Sequence, residues 1–102
     1  MIKKKFLKSR PVCKTTFSVP AADYSGQQIG LVGEFNNWNS EAPIQMTKKK
    51  DGTLSATVEL PVGKNVEFRY VVDGAQWVND ANADAYIATP FGSENGVVNT
   101  QN

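Results

Sequence analysis

Two tryptophans set in polar turns are the residues whose types point most directly to chemistry. Trp38 sits in "GEFNNWN", residues 33–39, and Trp77 in "AQWVND", residues 75–80. Each ring is either a core plug reached from a loop or an exposed binding surface, because tryptophan is highly buried on average yet favours places where one end is apolar and the other wet. The exposed alternative has a definite ligand chemistry. A sugar ring presents an apolar face of C–H groups, and an indole covering it hides area worth roughly 25 cal/mol per Å². The sugar hydroxyls stay at the rim, where neutral amides suit them, since asparagine both donates and accepts. Phe35 follows a short apolar strand directly and is expected to fold inward.

Other candidate chemistries are poorly supplied. The 102 residues include no histidine, which removes the commonest general acid/base, the Ser–His and Cys–His dyads and imidazole metal ligands. Asp73 stands before Gly74 in a hairpin signal, where aspartate serves the backbone. "DANAD", with Asp80, Asn82 and Asp84, opens like a calcium loop. Ala85 then stands where the sharp turn needs glycine and Phe91 where the bidentate glutamate belongs, so the stretch reads as a polar loop. Cys13 is the single cysteine. It has no histidine to activate it and no partner for an internal disulfide, which fits a reducing compartment. "GSENG", residues 92–96, lacks the lysine of a phosphate loop. No catalytic residue, metal ligand set or cofactor is expected.

Eleven Lys and Arg against ten Asp and Glu give a formal charge of +1, so no general attraction to nucleic acid or acidic membrane is visible. The two "KKK" runs, Lys3–Lys5 in a terminal tail and Lys48–Lys50 before a turn, read as solvated surface. The start has no apolar segment of signal length and nothing later approaches a membrane span. A soluble, cytoplasmic protein is the expectation.

The elements that must position the rings are short strands. Thr15, Phe17 and Val19 alternate with Thr16 and Ser18 in "KTTFSVP", and Ile29 and Leu31 share a face in "QQIGLVG". "IQMT" reads as one brief strand. "TLSATVEL" points Leu54, Ala56, Val58 and Leu60 one way, after the hairpin signal "KDG". "NVEFRYVV" points Val66, Phe68, Tyr70 and Val72 one way and Glu67, Arg69 and Val71 the other. After the Asp73-Gly74 turn come a strand through Trp77, a stretch rich in Ala, Asn and Asp over 79–85, and a last strand in "GVVNT". About seven strands in this length predict an all-β, immunoglobulin-like sandwich. One domain over 13–102 is expected, with 1–12 a flexible or edge segment.

"LVGEFNNWN", then "LPVGKNVEFRYVVDGAQWVND", then "FGSENGVVN" resemble, in order and spacing, carbohydrate-binding module family 48. That family includes the glycogen-binding domain of the AMP-activated kinase β subunit and the domain preceding the barrel of isoamylases and branching enzymes. The resemblance covers about residues 15–100 and implies the same sandwich. It also implies a sugar site made of two tryptophans, a basic residue, an apolar loop residue, a hydroxyl and an amide. Carried over singly, these fall on Trp38, Trp77, Arg69, Phe91, Ser93 and Asn95. Arg69 replaces the kinase subunit's lysine, donating through a planar fork rather than a point charge. Phe91 replaces an aliphatic residue and Ser93 a threonine. The hairpin "DGAQW" is one residue longer than in the kinase subunit, which bears on the aim of Trp77.

The resemblance implies a non-catalytic module for α-1,4-glucan. Its rival is a scaffold or protein-interaction module that docks on a glucan-metabolising enzyme or on a second copy, as family members without the sugar set do. An enzyme is disfavoured, since the paired acid and base of a glycoside hydrolase are absent.

Overall fold

The computed structural model describes residues 2–20, 28–39, 41–74, 76–90 and 92–101. Ten strands are present among them: β1 (Ile2–Phe6), β2 (Val12–Val19), β3 (Ile29–Gly33), β4 (Ile44–Gln45), β5 (Thr47–Lys48), β6 (Leu54–Pro61), β7 (Asn65–Val72), β8 (Gln76–Val78), β9 (Ala85–Ala88) and β10 (Glu94–Asn99). A 3-10 turn, Glu34–Asn36, follows β3. One sheet has the order β1-β2-β6-β5 and the other β4-β3-β7-β10-β9, with β8 also on β7. Every pairing is antiparallel.

Alternation builds the core between the sheets. Phe17 and Val19 of β2, Leu60 of β6, Ile29 and Leu31 of β3, Val66, Phe68, Tyr70 and Val72 of β7 and Val98 of β10 form one buried cluster. Phe17 packs its ring 4.8 Å from Phe68, and Phe35 packs against the cluster with its centroid 6.2 Å from Phe17. Cys13 is wholly buried.

Three features differ from the sequence expectation. Lys3 to Lys5 are not a tail: they form the middle of β1, pairing with Lys14 to Thr16 of β2, with their side chains exposed. "IQMT" is two strands in different sheets, β4 on β3 and β5 on β6. Met46 between them is buried in the core and donates its N–H to the Ile29 carbonyl at 3.0 Å, so a single inward residue makes the switch. β9 begins where the Ala-, Asn- and Asp-rich stretch ends, in residues given no strand by the sequence, and its four residues are all exposed.

β7 is the hub. Its later half has β3 on one side and β8 on the other, while its earlier half pairs with β10 on the β8 side. β8 and β10 thus run end to end along one edge of β7, and Asn79 Nδ2 joins them by donating to the Glu94 carbonyl at 2.8 Å. At the turn leading into β8, Asp73 accepts the Gln28 N–H at 2.9 Å through its carboxylate. The two sheets are also tied at their margins. Lys4 Nζ of β1 meets Asp84 Oδ2 at 2.6 Å, and the same oxygen accepts the Asn99 N–H at 2.8 Å. Burial pushes the Asp84 carboxyl up, but the Asn99 amide and the Lys4 ammonium together outweigh it and hold the group below its ordinary value.

Candidate functional site

The loop "GEFNNWN" is built by its own amides. Asn36 Oδ1 accepts the Gly33 N–H at 3.0 Å, and Trp38 N–H donates to the Gly33 carbonyl at 2.9 Å. Asn39 Oδ1 accepts the Glu41 N–H at 3.0 Å. These side chains close the turn. Asn37 and Trp38 both take the left-handed conformation, with φ of 56° and 58°. Asparagine tolerates that region, whereas a tryptophan there costs about 1–2 kcal/mol. The surrounding turn holds Trp38 in that conformation and carries its half-buried ring towards β8. Two glycines let the loop sit close to the sheet. A Cβ on Gly33 would lie 2.5 Å from the Glu67 carbonyl and 2.7 Å from the Phe35 ring, and one on Gly30 would lie 2.6 Å from Pro43.

The outer face of the β7 sheet supplies the rest. Trp77 lies opposite Val71, and directly opposed residues of an antiparallel pair point to one face. Asn95 stands one position before Gly96, which pairs with Phe68, so it flanks Arg69 on that same outer face. The two indoles meet with ring centroids 6.2 Å apart and planes inclined by 20°. Trp77 is exposed and Trp38 half-buried, so neither is a core plug. Trp77 is aimed at Trp38.

A chain of hydrogen bonds borders the rings. Arg69 Nε donates to Asn95 Oδ1 and Nη2 to Ser93 Oγ, each at 2.7 Å. Asn95 Nδ2 donates to Glu67 Oε1 at 3.0 Å, and Ser93 Oγ shares a 3.0 Å hydrogen bond with Thr89 Oγ1. A guanidinium only donates and a carboxylate only accepts, so the two neighbours fix which end of the Asn95 amide faces which way. Glu67 is itself anchored, its N–H donating to Glu34 Oε1 at 2.6 Å. Among the described residues, Arg69 Nη1 makes no hydrogen bond.

Trp38, Arg69, Trp77, Thr89, Pro90, Ser93 and Asn95 line one open hollow of about 370 Å³. Five of the six expected site residues therefore lie together; the sixth, Phe91, lies outside the described residues. Sequence reasoning missed Thr89, Pro90 and Glu67. The signal for Thr89 was the hairpin: Thr89 N–H donates to the Ser93 carbonyl at 2.8 Å across the turn "TPFGS", so its partner Ser93 pointed to it. Asp80, from the rejected calcium pattern, is buried and accepts from Tyr70 Oη at 2.7 Å. No group of three or more metal-ligating side chains occurs among the described residues. No helix there is long and apolar enough to cross a membrane.

Residues 18–102 match the family described as the glycogen recognition site of AMP-activated protein kinase. The chain belongs to that family. Its relatives include the mouse 5'-AMP-activated protein kinase subunit beta-2, 28% identical over 74% of this chain and 26% of the subunit. An α-amylase of Niallia circulans is 32% identical over 81% of this chain and 7% of the amylase. An amylopullulanase of Thermoanaerobacterium thermosulfurigenes is 37% identical over 56% of this chain and 3% of that enzyme. The chain thus spans about a quarter or less of these relatives' lengths. As a family member it carries the carbohydrate-binding fold, here with the two rings and their polar border assembled on one face.

Proposed function

We propose that this chain is a non-catalytic α-glucan-binding module whose ligand is an α-1,4-linked glucan such as glycogen, starch or a maltooligosaccharide. The observation that carries the reading is the convergence of Trp38 and Trp77 at 6.2 Å beside Arg69, Ser93 and Asn95 on one outer sheet face. The indoles cover the apolar faces of glucose units. Arg69 Nη1 and the remaining donor and acceptor capacity of Asn95 meet hydroxyls at the rim, and an apolar contact with the glucan is assigned to Phe91 by the family resemblance. An open site of this kind covers little of its ligand, so a Kd on the order of micromolar to millimolar is expected. The domain itself performs no bond cleavage and serves a glucan-metabolising system in the cytoplasm.

Electrophoresis through gels containing glycogen or amylose tests this. Wild-type protein is retarded, and Trp38→Ala migrates as in a blank gel while keeping its cooperative unfolding transition. Equal retardation of both overturns the reading, and loss of folding in Trp38→Ala returns that ring to a structural role. Exposed Tyr86 and Ile87 on β9 favour a second reading, contact with an enzyme or another copy. Concentration-dependent mass with no retardation in either gel is its signature.

A further inference from the structure

The outer face of the β7 sheet continues past the hollow. Asn95 lies opposite Ile87 in the β9–β10 register, so the two side chains share that face. Ile87 also precedes Thr89 by two residues, and residues two apart along extended chain point the same way. Thr89 and Asn95 both line the hollow. Ile87 therefore lies next to two of the residues that line it, and it is 45% exposed.

The strand around Ile87 is unusual for an edge. Edge strands ordinarily carry a charge, often lysine, that discourages pairing. β9 reads Ala85, Tyr86, Ile87, Ala88, with no charge and every residue exposed. Ala85 continues the outer face beyond Ile87, beside buried Val97. A lone exposed apolar side chain is ordinary, but this one extends a hollow that already presents two indoles. Strand spacing of about 4.8 Å and a rise of about 3.4 Å per residue put Ile87 roughly 8 Å from Trp77 at the level of the backbone. Only a chain of sugars, not a single ring, reaches both.

We propose that Ile87 is a further glucan subsite, taking the apolar face of a glucose unit beyond the one stacked on the indoles. This rests on the reading of the hollow as an α-glucan site. It makes affinity depend on chain length: a ligand long enough to cross from Trp77 over Asn95 to Ile87 gains about fivefold over one that fills the two-ring platform alone.

Calorimetric titration of wild type and Ile87→Thr with maltotetraose and maltoheptaose tests it. Threonine keeps the β-branched shape that suits a strand. Denaturant midpoints establish that both proteins fold alike, and Ile87→Val, which retains most of the apolar surface, is the second variant. The expected result is a preference for maltoheptaose in wild type and in Ile87→Val that disappears in Ile87→Thr, with maltotetraose affinity unchanged. A preference that survives in Ile87→Thr overturns the subsite, as does equal wild-type affinity for the two sugars; both leave the two-ring platform standing. Wild type that binds neither sugar overturns the glucan reading itself. A mass that rises with concentration and is reset by Ile87→Thr gives the residue to a contact between copies and likewise overturns the subsite.

Discussion

Replacing Trp77 by alanine separates the binding role of that ring from its structural one. The residue is 38% exposed; for a side chain offering on the order of 250 Å², that leaves roughly 95 Å² for a ligand. A glucose face covering about half of it hides ~50 Å², worth about 1.2 kcal/mol at 25 cal/mol per Å². Trp77→Ala should therefore raise Kd about eightfold. The same change removes the contact with Trp38 at 6.2 Å. Aromatic pairs contribute about 0.5–1.5 kcal/mol beyond their area, so a stability loss near 1 kcal/mol accompanies the weaker binding. Calorimetry with maltoheptaose reads the first number and urea unfolding the second. Unchanged Kd refutes the platform. A stability loss above about 3 kcal/mol refutes the exposure argument, since that is the range of a core aromatic.

Other consequences can be measured in the same way. Glu67→Leu should weaken glucan binding about threefold by releasing the Asn95 amide from its 3.0 Å acceptor, and Glu67→Gln, whose carbonyl still accepts, should restore it; equal loss in both variants makes the carboxylate's charge the cause instead. Gly33→Ala should cost about 1–3 kcal/mol in urea unfolding, because its Cβ meets the Glu67 carbonyl and the Phe35 ring within 2.7 Å in a well-packed region. Asp84, held below its ordinary value of 3.8, stabilises the fold fully above that pH and stops doing so as pH falls through its folded-state value. Asp84→Asn should accordingly have a lower urea midpoint than wild type at pH 7, with the gap closing below about pH 3.8; a gap independent of pH removes the charge from the explanation.

Much of this architecture was readable because period-two alternation is strict wherever one strand face is buried. β2, β6 and β7 show it, and the parity of β7 places Arg69 outside and Phe68 and Tyr70 inside, as found. The alternation fails where both faces of a strand are wet. "AYIA" presents no contrast between faces, so β9 was hidden in its loop-like surroundings, and the lysines of β1 masked a strand in the same way. "IQMT" misled for a different reason: four residues cannot reveal that the third turns into the core and divides the run between two sheets. At the site, the residue types were visible but their partners were not. Asn36 and Asn39 close the loop through hydrogen bonds to backbone groups two or three residues away, which residue type alone does not assign, whereas the place of Asn95 beside Arg69 and Glu67 depends on hydrogen bonds between residues distant in sequence.

The hub position of β7 couples recognition to folding. The residues around the hollow come from the segment after β3, from β7 and β8, and from the β9–β10 hairpin, and they meet only once β7 has been paired along both flanks. Such non-local pairing closes slowly, on the order of milliseconds to seconds, and leaves no fragment carrying a usable share of the surface. A ligand that needs the whole assembly has nothing to hold in the unfolded chain. Saturation at about a hundredfold over Kd therefore adds roughly 2.7 kcal/mol to the native state, which makes sugar supply itself a determinant of how long the polypeptide persists.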